Sequence, residues 1–411
     1  MKPLYLDHAA TTAADARVLK EMLPYFCEEF GNAHSLHSFG RRAVAAVDGA
    51  RDAVAGLLGA KAGEIYFTSG GTEADNWALR GAAHANAARG KRVVVSAVEH
   101  PAVTEAARLL AGEGFEVAVC PVDADGILDL DAFERLVGEG TCLAAVMAVN
   151  NETGAVQPLA EAARICHARG ALLFCDAVQA AGAYALRVDD IPADLLSLSA
   201  HKFGGPKGVG ALYVRAGTAI APLIAGGHQE RGLRGGTTNV PGAVGLAAAL
   251  ALARKELPLA RESAGKACEH FISRVLAGIP GAYLNGPRAA QRADTPPALR
   301  AANLDVAAEE GAKEEERAPY CGRLYSIANF SFDGADGDRL LALLDRAGVA
   351  ASGGAACSSG SPDPSPVLLA MGRSGALARG VRFSFGKENT LQEADFAFDR
   401  LQEALARLRG Q

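Results

Sequence analysis

The feature that most constrains this chain is an alternation. From residue 41 to about 250, short apolar runs at 64–68, 92–97, 141–149, 171–175, 195–198 and 210–214 are mostly separated by helical stretches. Parallel neighbours need a helical crossover, so the alternation predicts a mostly parallel sheet covered on both faces. The first helix is expected over 41–58, with Val44, Val47, Val54, Leu57 and Leu58 on one face. Residues 242–276, rich in Ala and Leu, read as one or two long helices leading into a second domain. That domain has strand runs at 328–332 and 381–385 and a closing helix at 391–408, where Phe398, Leu401, Leu405 and Leu408 share a face. Residues 288–323 lack apolar periodicity and read as a mobile surface excursion with a charged stretch from Lys313 to Arg317.

Polar clusters follow the apolar runs: 68–72, Glu99-His100, Asn150-Asn151-Glu152, Asp176 with Gln179, and Ser199-His201-Lys202. Ligands of open α/β sheets bind beyond the carboxyl ends of strands, so these clusters are expected to converge on one crevice. Lys202 sits just past the run at 195–198, where a buried amine is costly unless it reacts. A desolvated lysine forms a Schiff base with an aldehyde, and Asp176 would complete the pair that pyridoxal phosphate requires. The segment from Ile65 to Asn76 reads as strand, glycine turn and helix start, a place for a phosphate on backbone N–H groups and the Thr72 hydroxyl. It is neither a Walker A loop nor a Gly-x-Gly-x-x-Gly fingerprint, which disfavours a nicotinamide-dependent dehydrogenase.

Composition removes other classes. With 41 basic against 47 acidic residues the net charge is −6, so no nucleic-acid partner is expected. No apolar stretch is long enough to span a bilayer, so no membrane association is expected. The N-terminal run enters a strand directly without a signal-peptide layout, and a cytoplasmic location is expected. None of the eight cysteines forms a Cys-x-x-Cys pair. Cys120, Cys142, Cys166 and Cys175 lie in or beside apolar runs as core residues, whereas Cys357 lies in a glycine- and serine-rich stretch.

The motifs from Leu6-Asp7-His8-Ala9-Ala10-Thr11-Thr12 through Phe30-Gly31-Asn32, Thr68 to Glu73 and Glu99-His100 stand in a familiar order. The order continues through Val149 to Gly154, Asp176 to Gln179, Ser199 to Lys202, Glu230 to Thr237 and Val381 to Ser384. On these residues the chain resembles the cysteine desulfurases, pyridoxal-phosphate enzymes of the class V aminotransferase group. The resemblance runs from about residue 4 to 405, excluding the excursion.

It implies a fold type I transferase. An N-terminal segment (1–15) would pack with the small domain. A large domain (16–262) would carry a mostly parallel seven-stranded sheet, and a smaller α+β domain (263–411) would carry the catalytic-cysteine loop. It also implies roles. Lys202 holds pyridoxal 5′-phosphate and moves the substrate α-proton. Asp176 keeps the ring nitrogen protonated, His100 stacks over the ring and Gln179 bonds the phenolic oxygen. Gly71, Thr72, Ser199 and His201 bind the phosphate, joined by Thr237 from the partner of a homodimer. Asn32, Asn151 and Arg382 bind the substrate, with Asn151 and Arg382 on its carboxylate, for which a guanidinium fork is well shaped; Asn151 also counts among the cofactor-binding residues.

Cys357 decides the implied reaction. Its thiolate attacks the sulfur of L-cysteine, leaving a persulfide on Cys357 and releasing L-alanine. The sulfur would pass to an iron–sulfur scaffold or another acceptor protein. The chain would have no metal site of its own, Cys357 being at most a transient iron–sulfur ligand through its persulfide. Selenocysteine lyase and plain class V aminotransferase are the alternatives within the resemblance. A non-catalytic scaffold is disfavoured by the presence of Lys202, Asp176, His100 and Cys357 together.

Overall fold

The computed structural model describes residues 3–288, 322–354 and 363–410. A short first strand, β1 (Leu4–Tyr5), precedes a seven-stranded sheet. The sheet comprises β2 (Ile65–Thr68), β3 (Arg92–Ser96), β4 (Glu116–Cys120), β5 (Thr141–Ala145), β6 (Leu172–Asp176), β7 (Leu195–Ser199) and β8 (Gly210–Val214). Their spatial order is β2-β8-β7-β6-β5-β3-β4. All pairings are parallel except those of β8, which is antiparallel to both β2 and β7. Strands β5 to β8 are buried along their whole length, which is why they read as predominantly apolar runs. The edge strand β4 has no such signal in the sequence; its Val119 is exposed.

The first long helix spans Ser38–Leu58, three residues earlier than expected. His37 caps it, its Nδ1 accepting from the Gly40 N–H at 3.3 Å, and Gly59 closes it in the left-handed region. Its buried face uses Ala43, Val47, Ala50, Val54 and Leu58. Val44 faces solvent instead of the core, because it lies one residue, about 100° of helix rotation, off that stripe. The Ala- and Leu-rich stretch forms a single helix, Val240–Gly278, and it runs unbroken across the boundary expected at 262. Pro258 lies within it, removing one N–H from the ladder without ending the helix.

A second sheet places β10 (Ile327–Phe332) between β9 (Ala282–Asn285) and β12 (Val381–Ser384), both antiparallel to it. Phe271 of the long helix packs on Phe330 and Phe383 of this sheet, with ring centroids 6.1 and 4.7 Å away. The helix Leu391–Leu408 begins with a Thr390/Glu393 capping box and buries Phe398, Leu401 and Leu405, while Leu408 is partly buried. Strand β11 (Val349–Ala350) pairs in parallel with β1 as a separate two-stranded sheet, and a bridge from Asp7 to Ser384 of β12 draws the N-terminal segment to the second sheet. Strand β1 falls in the N-terminal run expected to enter a strand, whereas β9 and β11 carry no signal strong enough to be expected.

Most of the stretch expected as an excursion lies outside the described residues. Its expected end at residue 323 needs correction: Arg323 is 1% exposed, pairs with Glu269 and donates to the Pro287 carbonyl at 3.2 Å. Among the described residues no helix is long and apolar enough to cross a membrane.

Candidate active site

Because β8 is antiparallel to both neighbours, β2 points the same way as the parallel block. The C-terminal ends of β2 and β7 therefore fall on one edge, with Thr68 and Ser199 both in register with Gly210. A Cβ on Gly210 would stand 2.5 Å from the Leu198 carbonyl and 2.7 Å from the Gly70 backbone. A Cβ on Gly71 would meet Val178 at 2.8 Å. Bare backbone at these two positions lets the turn after β2 close against the ends of β6 and β7.

The five strand-end clusters meet there. A crevice of about 140 Å³ is lined by Gly71, Thr72, His100, Asn151, Asp176, Gln179, Ser199, His201, Lys202 and Arg382, with Ala9, Ala10, Asp75, Met147 and Val178. A larger cavity, about 490 Å³, shares Ala9, Gln179 and Lys202 with it; its wall mixes many alanines with the charged Asp15, Glu256, Lys387 and Glu388, and none of the other strand-end residues lines it. The polar constellation belongs to the smaller space.

Lys202 ends a short 3₁₀ turn after β7, and its Nζ donates to the Ala9 and Ala10 carbonyls at 2.6 and 3.1 Å. Gln179 donates to the same Ala9 oxygen at 2.8 Å. Asp176 ends β6, and its Oδ1 accepts from the Val178 N–H at 2.9 Å. His100 caps the helix Pro101–Gly112, its Nδ1 accepting from the Ala102 N–H at 3.1 Å. The ring proton must therefore sit on Nε2. Burial lowers the His100 pKa, with Lys202 adding to the effect and Asp176 opposing it, so the ring is neutral at physiological pH. His201 is pushed down to about 4, first by burial and then by Lys202 and Lys207.

Arg382 is 1% exposed. It donates to the Asn151 carbonyl at 2.7 Å and pairs with Asp7 at 2.8 Å, leaving its Nε buried without a hydrogen-bond partner. Asn32 and Thr237 are exposed and do not line the crevice; the Asn32 side chain accepts from the His34 N–H at 2.9 Å. Cys357 lies outside the described residues. On either side of it, Ser352 exchanges two backbone hydrogen bonds with Arg382, and Ser365 donates to Glu152 at 2.6 Å.

The motif from Glu230 to Arg234 is a buttress. Glu230 and Arg231 both hold left-handed backbone, a conformation disfavoured for side-chain-bearing residues. Glu230 is held by a buried pair with Arg51 and by the Phe67 N–H, and Arg234 grips Glu73 with two N–H groups. These contacts fix both flanks of the glycine turn.

Two buried acids escaped the list of expected site residues. Asp75, three residues after Thr72 and on the same helix face, lines the crevice, and that spacing was the available signal. Glu99 was noted only as the neighbour of His100. Burial, then Asp176, pushes the Glu99 carboxyl up to about 8. The unfolded chain gives up this proton near pH 4, so the folded state holds more protons from about pH 4 to 8 and stability falls as pH rises through that window. Glu99→Gln is expected to flatten that decline in melting temperature; an unchanged slope in thermal unfolding from pH 5 to 8 would refute it.

Comparison with known proteins decides what this geometry belongs to. The Aminotransferase class-V family profile matches residues 4–313 and 312–396. A cysteine desulfurase IscS of Clostridium botulinum is 40% identical over 409 residues, covering 99% of this chain and 96% of the relative. The chain belongs to the cysteine desulfurases of the class V aminotransferase family. Its fold agrees: a NifS-like protein superposes with TM-score 0.85 at 35% identity, covering 98% of this chain and all of the other. A structure described as SspA in complex with cysteine superposes at 0.75 and 30% identity, covering 93% and 99%.

Family members use pyridoxal 5′-phosphate, and the crevice suits it. A lysine amine and a buried carboxylate stand at neighbouring strand ends, the bare Gly71 leaves room, and Thr72, Ser199 and His201 gather hydroxyl and imidazole groups for a phosphate.

Proposed function

We propose that this chain works as a homodimeric cysteine desulfurase whose chemistry is divided among the residues of the crevice and Cys357. The convergence of Lys202, Asp176, His100 and Arg382 on one buried space is the observation that carries the reading. When bound, pyridoxal 5′-phosphate supplies an electron sink for the substrate carbon next to the amino group. Lys202 holds the cofactor aldehyde through its amine and carries protons to and from that carbon. Asp176, anionic and dry, keeps the ring nitrogen protonated. His100 offers its Nε2–H over the ring, and Gln179 turns from Ala9 to the phenolic oxygen. Gly71, Thr72, Ser199 and His201 bind the phosphate together with Thr237 of the partner subunit, which explains why that residue stands apart from the crevice of its own chain.

Arg382 and Asn151 hold the substrate carboxylate, with Asn32 closing on the substrate. The Cys357 thiolate then takes the sulfur: a sulfur–sulfur bond forms as the carbon–sulfur bond breaks, the bonding pair stays with carbon, and protonation gives alanine. The persulfide passes to an iron–sulfur scaffold or another acceptor protein in the cytoplasm.

Incubation with L-cysteine tests the whole reading. The peptide carrying Cys357 is expected to gain the mass of one sulfur as alanine appears. Alanine without that gain, or no alanine, would overturn it. Arg382→Lys keeps the charge beside Asp7 but gives up the fork. Loss of one charge-assisted hydrogen bond predicts a rise in KM for cysteine of roughly 10-fold or more. The visible band of the bound cofactor should be unchanged, and an unaltered KM would remove Arg382 from the substrate site.

A further inference from the structure

Three buried carboxyls cluster at the crevice, two of them, Asp75 and Asp176, in its wall. Asp75, Glu99 and Asp176 are 2, 4 and 5% exposed, and they come from three separate elements. Like charges held together away from water cannot all ionise, so the cluster must retain protons. Burial raises the Asp176 pKa as well, yet Asp176 is the member best equipped to stay charged. His100, the Val178 N–H, Lys202 and the Ser197 hydroxyl all act against that rise and favour its carboxylate.

The other two have far less support. Glu99 accepts from the Met147 N–H at 2.7 Å through Oε1, while its Oε2 is buried with no hydrogen-bond partner. Asp75 has Oδ1 only 2.5 Å from Ser197 Oγ. Ser197 is fully buried on β7, in register with Asp176 on β6, so its hydroxyl stands between the two aspartates. Burial pushes Asp75 well above the ordinary carboxylate range, Asp176 and Glu99 push it further, and only Ser197 opposes. The neighbouring Cys175 thiol, also raised by burial, remains protonated and adds no charge.

We propose that Asp75 is a positioning residue held as the neutral acid: it donates to Ser197 Oγ, the Ser197 hydroxyl donates onward to Asp176, and Asp176 carries the only charge of the three carboxyls. Glu99 is the second neutral acid of the cluster. The Asp75–Ser197 chain orients the Asp176 carboxylate and fixes the direction of its hydrogen bonds. A helix residue outside the expected site thereby sets the charge that faces the crevice. The inference deepens the reading above, in which Asp176 partners the ring nitrogen of the cofactor.

Infrared spectroscopy and a pH titration together decide it. The full-length protein at neutral pH is expected to show carbonyl stretches of protonated carboxylic acids, one lost in Asp75→Asn and another in Glu99→Gln. In the holoenzyme, Asp75→Asn, whose amide can still donate to Ser197, should leave the titration midpoint of the visible band where it is. Asp75→Ala and Ser197→Ala should each move it by about one pH unit, the effect of one lost hydrogen bond to a carboxylate.

An ionised Asp75 predicts the reverse: no acid carbonyl lost in Asp75→Asn, and a midpoint displaced as far as in Asp75→Ala. Either result overturns the proposal. The infrared measurement on apoprotein does not depend on the cofactor. A colourless protein with both acid bands would therefore sink the functional reading while supporting the protonated cluster.

Discussion

Lys202→Ala is expected to give a folded, colourless protein with turnover lowered on the order of 10³-fold or more, since both the anchor of the cofactor and the proton carrier are lost. The fold should survive because the side chain is only partly buried. What disappears is its hydrogen bonding to the Ala9 and Ala10 carbonyls, worth about 1–3 kcal/mol. Absorbance after reconstitution with pyridoxal 5′-phosphate provides the check. In the unaltered protein, borohydride reduction and peptide mapping should fix the label on Lys202 alone. Colour retained in Lys202→Ala, or a label on another lysine, would remove the basis of the proposed mechanism.

Cys357→Ser should separate cofactor chemistry from sulfur transfer. The visible band and its response to added cysteine are expected to remain, while steady-state alanine formation falls by on the order of 10³-fold, the scale of losing a catalytic nucleophile. The peptide should show no added sulfur. A Cys357→Ser protein with full cysteine turnover would exclude the thiol as nucleophile. Loss of turnover with cysteine but not with selenocysteine would instead mark a selenocysteine lyase.

Much of the fold was legible because its strands are buried on both faces. The runs that became β5 to β8 are predominantly apolar, a local property that needs no knowledge of the partner strand. Edge and short strands were not legible. Strand β4 is half exposed and β11 is two residues long, so neither has a pattern longer than chance. The site divided along the same line. Lys202, Asp176, His100 and Thr72 announced themselves as polar residues directly after apolar runs. Asp75 looked like an ordinary helix acid: its spacing from Thr72 hints that it faces the crevice, but its enclosure comes from Asp176, Glu99 and Ser197 on distant segments.

Sequence alone determined which residues stand at strand ends and what chemistry their side chains can perform, because strand burial and side-chain type are written locally. Tertiary structure alone decided what stands beside what. It set Asp7 against Arg382 across 375 residues, Ser197 between Asp75 and Asp176, and the root of the Cys357 segment against the arginine. Those juxtapositions arise from strand register and helix packing between distant segments. The protonation of a buried carboxyl depends on its neighbours in space rather than on its neighbours along the chain.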